Sequence, residues 1–522
     1  MRPTTDLFDL IRSMSETERQ LFVRSVQKKG SQEAVLVRLF DAIARMPEYD
    51  EAALIASQDH EPVRRGFASY KHHLYNMVLR FVTMQDADTP LAVLMTTIQS
   101  VEGLIDRGLY QQAWRLCKRA ALDAQQIDAF DIQWRLLQQE RNIVMIRQER
   151  HYSDETMADA LARIDADIAL IEACTQQVNA LRRIQRLLTT LTKSAASDPN
   201  DSLTLALTKA FGKENPSSAD CHSLTAAMLW HHVHILYYGK VNRAPDVVHV
   251  HASQLLEMLT RSPQIACAFS MHLMRAAATF ATASTWIGDL DGVRKAVDIL
   301  QKAPERFGFK RTAAMHTLAL QSYTYQAVVR DEALDFENID EFLRECLGAL
   351  EEFAAFGRRL FADELRVYVA KMALVTQRYD VVQAVAHEVL RHKSPSPSAT
   401  RTFMRQCTCI MALLGNDADA VDAIATSALR NAKADKLLPA LASFFRTAQK
   451  YVYELDRTAR RNLLQRHLET VQAALDTQNT HDALSDSTAP HVVWTLAVLA
   501  DAPFIDTYCA AMRNASAREQ AQ

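Results

Sequence analysis

The chain has 522 residues, 48% hydrophobic and 23% charged, which makes it too long for one ordinary core and too apolar for a disordered one. Its 12 Gly and 14 Pro are few for this length, which argues against sandwiches, barrels and nucleotide-binding sheets and predicts an all-α chain with short links. Lys and Arg total 59 against 62 Asp and Glu, a net charge of −3, so no global basic field draws the chain to nucleic acid or an anionic membrane.

The opening stretch MRPTTDLFDLIRSMSETERQ is polar and lacks the apolar core of a secretory signal. No apolar run is long enough to span a bilayer. The eight cysteines are scattered and form no C-x-x-C pair, as expected of reduced, buried thiols. The cytoplasm is therefore the expected location.

Residues 5–12 predict a short helix with Leu7, Phe8, Leu10 and Ile11 on its apolar side. Ser15-Glu16-Thr17-Glu18 then reads as a capping box, in which each end of the tetrad satisfies the other's backbone N–H. The helix it starts carries Leu21, Phe22 and Val26 and stops at Lys28-Lys29-Gly30. The next helix places Val35, Leu36, Leu39, Phe40 and Ile43 at spacings of three and four, and Pro47 ends it. Asp50 caps a short helix over 51–57. A longer helix, about Val63 to Met84, carries Phe67, Tyr70, Leu74, Met77, Val78 and Phe81. At the break that follows, Thr89 is the cap and Pro90 the first helical residue, so a domain boundary is placed there and residues 1–85 are read as a small helical N-terminal domain.

Two phrases in this region, LFDLIRSMSETERQLF and LVRLFDAIARMPEYDEAAL, resemble the N-terminus of a group of uncharacterised bacterial helical-repeat proteins of the Bacteroidetes type. The matching residues are Ser13, Met14, Ser15, Glu18 and Arg19, then 39–43 and 48–51. The resemblance covers about the first 60–80 residues. It implies an architecture like that of tetratricopeptide repeats (TPR) and brings no activity with it.

Residues 86–480 read as a TPR-like array. Gly108-Leu109-Tyr110 followed by Ala113, Cys117 and Ala120 matches the turn and second helix of such a repeat: Gly108 permits the turn, Tyr110 fills the groove between the helices, and Ala113 and Ala120 allow close approach. Weaker echoes begin at Gly288 and at Arg378-Tyr379. Their separations, about 180 and 90 residues, fit multiples of about 45 better than the usual 34. The expected fold is a right-handed α-α superhelix of about eight to ten helical hairpins, each helix about 20 residues long. From Asp154 to Lys193 there is neither Gly nor Pro, which fits one very long helix or two with an unmarked turn near Cys174-Thr175-Gln176. Residues 481–522 read as a polar loop and two capping helices, 492–500 and 504–512, with fraying after Asn514.

Chemistry-bearing motifs are sparse. His387 and His392 are five apart, about 140° round a helix, where the zinc-protease pair needs four. His231 and His234 are three apart and could share a metal given a third ligand, or be partly buried rings beside Trp230, Tyr237 and Tyr238. Cys407 and Cys409 point apart on a helix. There is no G-x-S-x-G, no P-loop and no dinucleotide fingerprint, and Gly288-Asp289-Leu290-Asp291-Gly292 lacks the rest of a calcium loop. The Arg64-Arg65, Arg182-Arg183, Arg358-Arg359 and Arg460-Arg461 doublets read as solvated helix faces.

The expectation is a non-enzymatic scaffold or adaptor that binds a peptide or protein partner on the concave face of the array, with no cofactor, nucleic acid or membrane. An alternative is a ligand-responsive sensor in which the N-terminal unit docks on the array. A remote alternative is a metal-dependent enzyme using His231 and His234.

Overall fold

The structure is a computed structural model that describes residues 5–14, 16–27, 33–46, 49–56, 64–85, 89–146, 156–193, 221–240, 243–355, 359–391, 398–431, 439–477 and 489–521. The Ser15 end of the capping box, the Lys28–Gly30 stop, Pro47, the 86–88 break, His392 and the polar loop of 481–488 lie outside these residues. Twenty-four helices and no strand occur among them. None of these helices alone is long and apolar enough to cross a membrane. By contact the chain divides into unit 1, Met1–Leu236 with Leu259–Ser270, and unit 2, Tyr237–Met258 with Met271–Gln522.

Unit 1 opens with α1 (Asp6–Ser13), α2 (Glu16–Gln27), α3 (Glu33–Arg45), α4 (Glu51–Ala56) and α5 (Phe67–Gln85). Their apolar stripes meet in one cluster that includes Phe8, Ile11, Phe22, Phe40, Leu74 and Val78. One detail differs from the sequence reading: Leu21 is exposed while Phe22 and Val26 face inward. Val63, the expected start of the last of these helices, lies outside the described residues; 64–65 are helical, and α5 runs from Phe67 after a turn at Gly66. Several residues of the two N-terminal phrases hold this bundle together. Arg19 donates to the carbonyls of Ile11 and Arg12 in the last turn of α1, both at 3.2 Å. Asp50 caps α4 by accepting from the Ala53 N–H at 3.0 Å. Tyr49 and Lys71 both donate to the Glu51 carboxylate at 2.6 Å, with the Lys71 ammonium over the Tyr49 ring.

Four longer helices follow: α6 (Pro90–Asp106), α7 (Tyr110–Gln126), α8 (Phe130–Ile146) and α9 (Met157–Lys193). Thr89 caps α6 through the Ala92 N–H, with Pro90 in the first turn. Each helix packs on the next, and α6 also packs on α8. α7 presents Ala113, Cys117, Ala120 and Ala124, all buried, so its neighbours come close. α9 is a single helix of 37 residues, which decides between the two readings of that stretch.

The chain continues through α10 (Leu224–Lys240), α11 (Pro245–Thr260), the unanticipated short α12 (Pro263–Ala268), α13 (Ser270–Trp286), α14 (Leu290–Phe307), α15 (Ala313–Glu332), α16 (Ile339–Ala355), α17 (Arg359–Val375), α18 (Tyr379–Arg391), α19 (Ser398–Leu414), α20 (Ala418–Arg430), α21 (Pro439–Tyr453), α22 (Arg457–Thr477), α23 (Pro490–Ala500) and α24 (Phe504–Ala521). In unit 2, α14 to α22 pack consecutively wherever they are described, and α15, α17, α19 and α21 also pack on one another as a layer. Tyr325 ties α15 to α13 by donating to the Ala278 carbonyl at 3.0 Å. The odd-numbered helices start at 270, 313, 359, 398 and 439, so the spacing varies from 39 to 46 residues.

A backbone turn recurs between these helices. Gly108, Asp128, Gly288, Leu334, Gln377, Asn416 and Asp501 all have positive φ, between 51° and 72°. Each closes the same pair of bonds; at Gly108 they run from Leu109 N–H to Leu104 C=O and from Gly108 N–H to Ile105 C=O. This is the Schellman ending, which satisfies helix carbonyls that would otherwise be orphaned.

The C-terminal helices depart from the expected end cap. α24 runs from Phe504 to Ala521, past the expected 512. α23 packs on α22 but also on α19, and α24 packs on α17, so the pair folds back onto the odd-helix layer.

Candidate interaction surface

The predicted repeat-packing residues fall in three hairpins: Gly108, Tyr110, Ala113 and Ala120 at the α6–α7 turn and on α7, Gly288 before α14, and Tyr379 at the start of α18. Gly108 and Gly288 supply left-handed turns at φ +71° and +72°. Ala113 and Ala120 are buried in the α7 core, with Tyr110 packed at its edge. Tyr379 packs partly buried against the core of unit 2.

His231 and His234 lie on one turn of α10 and are held by Trp230. The His234 Nδ1 is 2.8 Å from the Trp230 carbonyl, and its ring centre is 3.9 Å from the Trp230 ring. The His231 ring meets the same indole edge-on at 5.0 Å. Burial pushes His231 down to about 4 and lowers His234 as well, so neither is charged at neutral pH. Among the described residues no third His, Cys, Asp or Glu completes a metal-holding group with them. Glu388, in the near-miss zinc motif, is bonded to Arg366, which also donates to Asp363 at 2.9 Å. Cys407 and Cys409 are fully buried thiols whose ionisation burial opposes.

The odd-helix layer of unit 2 carries a buried polar triad. Asp331, at the end of α15, is 2% exposed. Its Oδ1 accepts from the Tyr508 hydroxyl of α24 at 2.5 Å, and its Oδ2 from the Lys371 ammonium of α17 at 2.7 Å. Lys371 also sits 5.2 Å from the Tyr508 ring centre. Burial, then the adjacent Asp331 charge, drives the Tyr508 phenol far above its ordinary range, so it remains a donor. This triad, joining residues 177 apart in sequence, pins α24 to the layer.

Beside it lies a patch open to solvent. Glu332 and Glu364 are exposed, on adjacent helices of the layer. Their charges, together with that of Asp331, reach Tyr368, whose phenol burial and then these acids push up to about 12. Glu364 has no hydrogen-bond or ion-pair partner among the described residues, yet surrounding protein desolvates it and raises its carboxyl above the usual range.

The sequence reading missed Asp331, Lys371, Tyr508 and Glu364. Each is an ordinary residue on an amphipathic helix, and only the return of α24 gives the first three a common purpose. No protein-family model, curated protein or solved structure matches the chain.

Proposed function

We propose that the chain is a non-enzymatic scaffold whose helices wind as TPR-like, right-handed arrays, and that unit 2 receives a basic segment of a protein partner on its odd-helix layer. The observation that carries this reading is the Glu332/Glu364/Tyr368 patch: two exposed acids, one of them unpaired and desolvated, beside a phenol ring. A Lys or Arg side chain of the partner would pair with Glu364 and lie over Tyr368, a combination of charge and cation–π attraction that gains strength as water is displaced from the contact. The acidic character of the patch speaks for a polypeptide over a nucleic acid. The eight free cysteines support a reducing, cytoplasmic setting for the encounter. No cofactor has a part in this mechanism.

The test is crosslinking in the native host followed by mass spectrometry, with the wild type, a Glu332→Lys/Glu364→Lys double variant and a Glu351→Lys control on α16. Charge reversal in the patch is expected to abolish the wild-type crosslinked partner and the control to keep it. An unchanged partner set in the double variant would remove the patch from the proposal.

A further inference from the structure

We propose that His467 and His491 form an acid-sensitive latch that holds the α23–α24 pair on α19 and releases it when the rings gain protons. The two histidines belong to different helices, α22 and α23, and are 1% and 0% exposed. Their ring centres are 5.4 Å apart, and both pack on Phe444 of α21, at 6.0 and 5.7 Å. Trp494 closes the other side of Phe444 at 5.9 Å. His491 Nδ1 meets the Gln406 amide of α19 at 2.5 Å, and His467 Nδ1 meets the Ser443 hydroxyl of α21 at 3.2 Å. Beyond these contacts, the Nε2 atoms of both rings and Oε1 of Gln406 have no partner among the described residues.

A neutral imidazole carries one N–H, whereas an imidazolium carries two and a charge; Ser443 Oγ and a turned Gln406 Oε1 can accept at the two Nδ1 positions, but the Nε2–H of each ring then has no acceptor among the described residues, and the charge has no counter-ion bonded to it. The surrounding elements contribute few ionisable groups. α19 brings the neutral Gln406, followed by the buried thiol of Cys407, which keeps its proton. α21 brings Ser443 and Phe444, and α23 brings Trp494 and Thr495, whose hydroxyl donates to the His491 carbonyl at 2.7 Å. The charge-bearing group acting on His491 is His467 itself. Among the described residues no Asp, Glu, Lys or Arg forms a hydrogen bond or ion pair with either ring.

The sign follows from the burial. It lowers His467 to about 4 and His491 well below its ordinary value. Released from the core, both return to about 6.5. Above that pH docked and released forms bind no protons, and docking has its full strength. As pH falls from about 6.5 towards 4, the released form takes up protons that the docked form refuses, and its population rises up to about tenfold per ring per pH unit. Release of the pair breaks its contacts with α22, α19 and α17 and the Tyr508–Asp331 bond, a sub-global opening that leaves the packing of α13 on α15 in place.

Hydrogen exchange read by mass spectrometry on the full chain, at pH 7.5 and 5.0 and corrected for intrinsic rates, tests this. The expected result is loss of protection over 490–521, along α19, and on α17 and the Asp331 end of α15 where α24 packs, at pH 5.0, with α13 and α14 unchanged. A His467→Gln/His491→Gln variant is expected to lose that pH dependence. Should the variant not fold, the wild-type exchange itself decides: a logarithmic opening constant that climbs with a slope between one and two protons per pH unit supports the latch. A flat profile, or one rising equally across unit 2, overturns it.

Discussion

Gly288 shows what one residue contributes. A Cβ built there meets nothing within 4 Å, so replacing it tests backbone conformation alone. Gly288→Ala is expected to cost about 1–2 kcal/mol, the penalty of a left-handed L-residue, read as a lower denaturant midpoint. Gln377 occupies the same conformation at φ +60° without being glycine. Gln377→Gly is therefore expected to stabilise, by about 0.5 kcal/mol once the larger entropy of a glycine chain is subtracted. These turns also explain how far the repeat could be read. Gly108 and Gly288 announce theirs, whereas Asp128, Leu334, Gln377 and Asn416 adopt the same geometry with nothing in their identity that demands it. The period was therefore legible at the glycines and blurred between them. Asp331 tells a similar story: Tyr508→Phe should remove a hydrogen bond to a buried carboxylate and cost about 1.5–3 kcal/mol, measured as a lower thermal midpoint.

At the scale of elements, α9 is the sharpest case. Its buried positions Ile164, Ile171, Val178, Leu181, Ile184 and Leu188 keep helical spacing throughout. α8 covers its first half through Leu137 and the 2.7 Å Arg163–Glu140 pair, and α10 covers a later part through Ala226. The absence of Gly and Pro suggested such a helix but could not exclude a turn at Cys174-Thr175-Gln176, because turns need not carry a breaker. Thr175→Pro separates the two: in a continuous helix it breaks a bond and clashes with the preceding turn, costing about 3 kcal/mol or more in unfolding experiments, whereas a turn would tolerate it. The N-terminal helices were more legible, because Thr89-Pro90 and the three-and-four spacing of Leu36, Leu39, Phe40 and Ile43 are local signals. His491 was missed even though a lone histidine in the apolar run of α23 is an anomaly. Its partners, His467 and Gln406, lie 24 and 85 residues away.

For the molecule, the feature that matters most is the return of the C-terminal pair. A sequence of amphipathic helices predicts that each packs on its neighbours, and among the described residues of unit 2 they do. It does not say where the last helices go, since an end cap and a fold-back use equally apolar faces. The fold-back covers part of the odd-helix layer with α24, while Glu332 and Glu364 stay exposed beside it. Photo-crosslinking from p-benzoylphenylalanine in place of Tyr508 tests this directly. The fold-back predicts crosslinked peptides from 313–332 and 359–375; crosslinks confined to 457–477, as for a simple end cap, would contradict it.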